Sequence, residues 1–143
     1  MLGVVDSGGE LGPRWDGKRP DGGQPASGET VVVPPAPPTV DIQEGQAMYA
    51  SMCAMCHGGS GRGDGPGAAA IKDWKGHAVP PRDLTIGDLK AGRSPEQLYL
   101  RIRLGVPGLM PPMGAGLSPE QIWSLVRYLE TSVLPAQVAA REV

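Results

Sequence analysis

The chain reads as an all-α domain in which short helices are joined by long irregular connections. Three observations carry this reading. The tetrapeptide Ser-Pro-Glu-Gln occurs at 94–97 and again at 118–121, each time placing a serine N-cap, proline at the first helical position and glutamine at the third. Behind the second copy, Ile122, Leu125, Val126 and Leu129 recur at helical spacing. The 22 Gly and 16 Pro of the 143 residues are concentrated between such segments and hold them apart. About four to five short helices are expected in all.

Taken in order, residues 1–40 form an irregular Pro/Gly-rich arm with no apolar periodicity, closing on Val31-Val32-Val33-Pro34-Pro35-Ala36-Pro37-Pro38. Such a run is extended and acts as a semi-rigid spacer, or as an arm laid along a partner subunit. The compact domain is expected over 41–134, with a tail over 135–143. Asp41 is the N-cap of its first helix and Glu44 completes a capping-box-like pair; the helix then carries Ala47 to Met52 up to Cys53. Residues 58–67 are a glycine loop, 68–72 a short helix, and 77–82 an extended stretch, since residues before proline avoid the helical region. The last two helices are expected over about 95–104 and 119–132. Connections this long are unusual in a compact domain without a use for them, and wrapping a cofactor is such a use.

Composition points the same way. There is no Phe, and only three Trp and three Tyr, so a core built from side chains alone is thin; a large apolar group at its centre makes up the deficit. A net charge of −2 with both signs scattered gives no nucleic-acid footprint. No stretch approaches the roughly 18–20 apolar residues that span a membrane. Met1-Leu2-Gly3-Val4-Val5 is too short and uncharged for a signal peptide, so an exported protein of this kind would have lost its signal or anchor, or would be one domain of a longer chain.

The two cysteines stand three apart in Cys53-Ala54-Met55-Cys56-His57. On one helical turn both thiols project to the same side and can form thioethers with the two vinyl groups of one porphyrin, with the next side chain, His57, directed at iron. A zinc site needs four ligands, and the chain holds only one further histidine, His77, and no third cysteine. A redox dithiol needs a preceding strand, which is absent. The glycine stretch lacks the Gly-Lys-Ser/Thr of a phosphate loop and, with Asp64 alone, the carboxylates of a calcium loop. Opposite His57 the candidates for a second axial ligand are Met110, Met113 and His77. The two methionines lie in a Pro/Gly loop with no helical stripe to belong to, which weakens the ordinary core-filling role of Met.

Several motifs in this order resemble the class I monohaem cytochromes c over about residues 41–134: Glu44-Gly45…Tyr49, the haem pentapeptide with Gly58, Gly63-Asp64-Gly65-Pro66, Pro81-Arg82-Asp83-Leu84, Met110-Pro111, and Trp123…Tyr128-Leu129. The resemblance implies first and last helices crossing at Gly45 with Tyr128 near Tyr49, and a single covalent haem c attached through Cys53 and Cys56. It implies His57 and Met110 as axial ligands, a Pro66 carbonyl accepting from His57, Arg82 at a haem propionate, and Trp123 either near the haem or at the helix crossing. It further implies single-electron transfer rather than catalysis, on the periplasmic side. The redox partners would be a donor and an acceptor protein, and the arm favours a larger respiratory or dehydrogenase complex over a freely diffusing carrier. A haem enzyme or sensor with an open distal position is the remaining alternative.

Overall fold

A computed structural model describes residues 32–89 and 92–135. The chain divides into two units, 1–35 and 36–143. Of the first, residues 32–35 are described and hold no helix or strand; most of the expected arm and all but the first residue of the C-terminal tail lie outside the described residues.

The second unit is helical, with no strand among the described residues beyond two isolated antiparallel bridges, Lys72 with Ala78 and Val106 with Met110. Helix α1 spans Ile42–Met48 and passes through a wide π turn, Tyr49–Cys53, into the single α turn α2, Ala54–His57. Helices α3, Pro95–Leu104, and α4, Pro119–Tyr128, follow, and α4 also runs into a π turn, Leu129–Val133. The expected helix over 68–72 is shorter: a 3-10 turn covers Ala68–Ala70, and Ile71 is already extended because its backbone turns to accept from Val79. A second 3-10 turn, Leu84–Ile86, follows the Pro-Arg-Asp sequence; Asp83 caps it by accepting from the Thr85 amide.

Both Ser-Pro-Glu-Gln sequences form full capping boxes, the serine hydroxyl accepting from the glutamine amide and the glutamine side chain accepting from the serine amide. At α1 the box is half formed. Asp41 accepts from the Gln43 and Glu44 amides, while the Glu44 carboxylate turns away to accept from Gln121 Nε2 of α4 at 3.2 Å. Gln121 thus closes its own helix start with its carbonyl oxygen and holds α1 with its amide nitrogen.

The core sits where α1, α3 and α4 meet, around Tyr49, Leu98, Tyr99, Ile102, Ile122, Leu125 and Val126. α1 and α4 cross at Gly45, as the sequence predicts. A Cβ on Gly45 would fall inside the Ser124 carbonyl and stand 3.1 Å from Tyr128 Cβ, so only glycine lets the two backbones approach this closely; the roughly 1 kcal/mol that glycine costs inside a helix is the counterpart of that contact. The Tyr49 and Tyr128 rings pack beside it, centroids 5.4 Å apart.

Candidate haem-binding site

The attachment turn begins at the π turn. The Ala54 amide donates to the Tyr49 carbonyl, five residues back, so one extra residue enters the helix. Each residue is worth about 100° of helical rotation, so the insertion shifts Cys56 and His57 by about that angle relative to α1. Bulges of this kind are frequent at functional sites. No local sequence signal marks it, since Tyr-Ala-Ser-Met-Cys suits an ordinary α turn equally well.

Gly58, with φ of 80°, ends α2 in a conformation that a side chain rarely adopts. The glycine loop then runs back along the attachment turn. Alternate amides donate to its carbonyls: Gly63 to His57 at 2.8 Å, Gly65 to Cys56 at 3.1 Å and Gly67 to Met55 at 2.8 Å. These bonds satisfy the carbonyls a helix end leaves open and fix the backbone that bears Cys56 and His57. The loop is held in turn by Leu84, whose amide donates to Gly61 at 2.7 Å. From the other side, the buried Tyr49 hydroxyl donates to the Gly58 carbonyl at 2.7 Å. Burial, with the neighbouring Cys53 next in weight, pushes that hydroxyl up to about 12. Sequence reading treats Tyr49 as a packing residue; its role as a clamp on the residue after His57 depends on a contact nine positions away.

Both cysteines are free and half-buried. Burial, then the adjacent Cys56, pushes the Cys53 thiol up to about 11, so it is protonated at neutral pH. Burial holds His57 below the usual imidazole range, which keeps it neutral as a metal ligand must be. Its Nδ1 is buried with no hydrogen-bond partner; the Pro66 carbonyl, on an exposed residue of the loop, does not accept from it. Two free thiols one turn apart and a neutral imidazole beside them fit a covalent c-type haem. They do not fit zinc: among the described residues no three His, Cys, Asp or Glu cluster to hold a metal ion.

The methionine loop is built on the end of α3. Helix α3 stops at Gly105, and Val106 and Met110 exchange backbone bonds, Val106 amide to Met110 carbonyl and Met110 amide to Val106 carbonyl, both at 2.9 Å. Met113 is tied separately, its amide donating to Ile102 at 3.0 Å. Both side chains are half-buried. His77 is exposed, its ring 3.3 Å from Asp73 Oδ2. Arg82 is exposed and bound to Asp88, Nη2 donating to the carboxylate at 2.8 Å and Nε to the carbonyl. Trp123 is buried in α4 with its ring 4.9 Å from that of Tyr99 in α3, which places it at the packing of those two helices.

Residues 40–129 match the protein family described as cytochrome c oxidase, cbb3-type, subunit III. Among solved structures, a chain of the Kuenenia stuttgartiensis reducing HAO-like protein complex Kustc0457/Kustc0458 is 38% identical, with a TM-score of 0.68 over 75% of this chain and 50% of that one. This chain therefore spans half the length of that relative. The KustC0563 c-type cytochrome is 25% identical, TM-score 0.43, covering 59% of this chain and 92% of its own. Cytochrome cL from Methylophaga aminisulfidivorans is 16% identical, TM-score 0.49, over 64% and 55%. No curated protein matches.

Proposed function

Since the chain belongs to the cytochrome c family of the cbb3-type oxidase subunit III, and is an electron carrier with one covalent haem c, we propose that it works as a subunit or tethered domain of a larger extracytoplasmic redox complex, its iron held by His57 and Met110. Cys53 and Cys56 form the two thioethers. When bound, the haem supplies a one-electron iron couple, and a His/Met pair raises its potential relative to more basic ligands.

The ligand assignment is supported by two clamped backbones. His57 is neutral, half-buried and fixed through its carbonyl by Gly63, and Met110 is fixed by its paired bonds to Val106. A ligand on a rigid element holds its geometry while iron changes oxidation state. Were His57 and Met110 both to hold the iron, no position would be left for a substrate, which would suit outer-sphere transfer. The complex reading is supported by the 38% identical relative, itself a chain of a two-component complex. The extracytoplasmic location is supported by the chemistry of haem c, which is attached outside the bacterial cytoplasm. No helix among the described residues is long and apolar enough to cross a membrane.

The test is the far-red methionine–iron charge-transfer band of the ferric protein. Met110→Ala abolishes it and Met113→Ala leaves it in place. Loss on Met113→Ala alone would transfer the ligand role, and ready CO binding by the reduced wild type would replace the carrier by a protein with an open distal position.

A further inference from the structure

We propose that the loop 71–79 docks the chain onto a protein partner, with Trp74 entering an apolar slot bordered by carboxylates. This names the kind of partner in the complex proposed above and rests on that reading. The loop is a small closed structure. Lys72 and Ala78 form an antiparallel bridge, and the Asp73 amide donates to the His77 carbonyl and the Val79 amide to the Ile71 carbonyl, both at 2.9 Å. The Gly76 amide donates to the Asp73 carbonyl at 2.9 Å, and Gly76, with φ of 83°, closes the turn in a conformation that a side chain rarely adopts. The Asp73 carboxylate is turned inward. One oxygen accepts from the Lys75 and His77 amides, each at 2.9 Å, and the other stands 3.3 Å from the His77 ring. Trp74 lies at the tip and is 75% exposed, more than any other large apolar side chain among the described residues. The Lys75 ammonium sits over its indole, 4.9 Å from the ring centre.

Single exposed apolar side chains are ordinary on protein surfaces, and three features set Trp74 apart. Indole is among the side chains that contribute most when an interface covers them, and here the fold leaves it in solvent. The turn beneath it is fixed by its own hydrogen bonds, so little ordering remains to be done on binding. The exposed charge beside it has one sign. Lys72 and Lys75 are exposed and make no ion pair among the described residues, while the one carboxylate of the loop is engaged within it. Two cations beside an apolar tip complement an apolar slot with an acidic border. A lipid surface fits less well, since Lys75, Gly76 and His77 follow Trp74 and no second large apolar side chain stands at the tip.

The experiment starts from the full haem-loaded chain in its native host, with the photo-cross-linker p-benzoylphenylalanine at position 74. Irradiation is expected to give one dominant protein adduct, mapped by mass spectrometry to a peptide with Asp or Glu beside the joined residue. Binding of that purified protein to the chain is then measured by calorimetry. Trp74→Ala raises Kd by about thirtyfold, the scale of an interface hot spot. In stopped-flow mixing, the double variant Lys72→Glu, Lys75→Glu associates more slowly and with less dependence on salt. An adduct to lipid, an adduct to this chain's own sequence, or no adduct overturns the proposal. So does a rise in Kd of less than about fivefold in Trp74→Ala, the scale of an ordinary contact. Trp74→Ala is also expected to keep the visible spectrum and midpoint potential of wild type. A shift in both with Kd unchanged would make Trp74 a cover of the haem and overturn the docking role. Size exclusion of the wild type from the same extract separates the two readings. A large assembly without the adduct removes only the role of the loop, and a free monomer removes the complex as well.

Discussion

Tyr49 joins three parts of the molecule through one side chain. Its ring packs on Tyr128 of α4, its backbone carbonyl opens the π turn, and its hydroxyl holds Gly58 behind His57. The hydroxyl is raised from 10.0 to about 12 because burial and its neighbours disfavour the phenolate. The folded state therefore prefers the protonated form. Its stabilising contribution is complete below the unfolded value near 10 and is lost as pH rises through about 12. Tyr49→Phe keeps the ring and removes the bond, so the variant is less stable than wild type at pH 7 by about 1 kcal/mol. Thermal melts from pH 7 into the alkaline range should show that difference shrinking as wild-type Tyr49 ionises. No difference at pH 7 would mean that the hydroxyl bond contributes nothing, and a difference that persists unchanged through the alkaline range would mean that the hydroxyl does not ionise there. The motif Glu44-Gly45…Tyr49 is visible in the sequence, and so is the close approach at Gly45. The Gly58 clamp is not, because it joins residues whose proximity depends on the turn between them.

At the scale of elements, the helix starts were the most legible feature. Serine, proline and glutamine act through local geometry, each satisfying a backbone group within three residues, so Ser94 and Ser118 could be placed before any tertiary contact was known. The two starts are not equivalent in the fold. Gln121 also binds Glu44 across the α1–α4 crossing, whereas the side chain of Gln97 bonds only to its own cap among the described residues. Ser94→Ala and Ser118→Ala are each expected to cost about 1 kcal/mol in denaturant unfolding of the holoprotein. Gln121→Ala is expected to cost more than Gln97→Ala, since it loses the box and the bridge together. Equal costs for the two glutamine variants would show the Glu44 contact to be worth nothing. The π turns at Tyr49–Cys53 and Leu129–Val133 were not legible. A single inserted residue leaves the apolar pattern almost unchanged over so short a span, and packing rather than propensity selects it.

For the molecule as a whole, the side-chain core is small. Its fully buried large members are Tyr99, Ile122, Leu125 and Val126, and long loops without regular structure surround them. A covalent haem both fills the interior and ties Cys53 and Cys56 to it, so cofactor binding is part of folding free energy. The Cys53→Ala, Cys56→Ala double variant is accordingly expected to unfold at lower denaturant and with a shallower slope, and to lose near-ultraviolet circular dichroism. Unfolding as cooperative as in wild type would show that the protein core is sufficient alone.

What the sequence determined by itself was everything set by short-range chemistry. Attachment of haem follows from two thiols and an imidazole within five residues. The helix starts follow from their caps, and the family follows from motifs in a fixed order. Tertiary structure alone decided which polar groups meet across the chain: Glu44 with Gln121, Tyr49 with Gly58, Arg82 with Asp88, and Arg93 with the Pro135 carbonyl. The physical reason is range. A cap or an attachment turn is complete within a few residues, whereas a guanidinium in a loop has several partners within reach, and only the folded path of the backbone selects one.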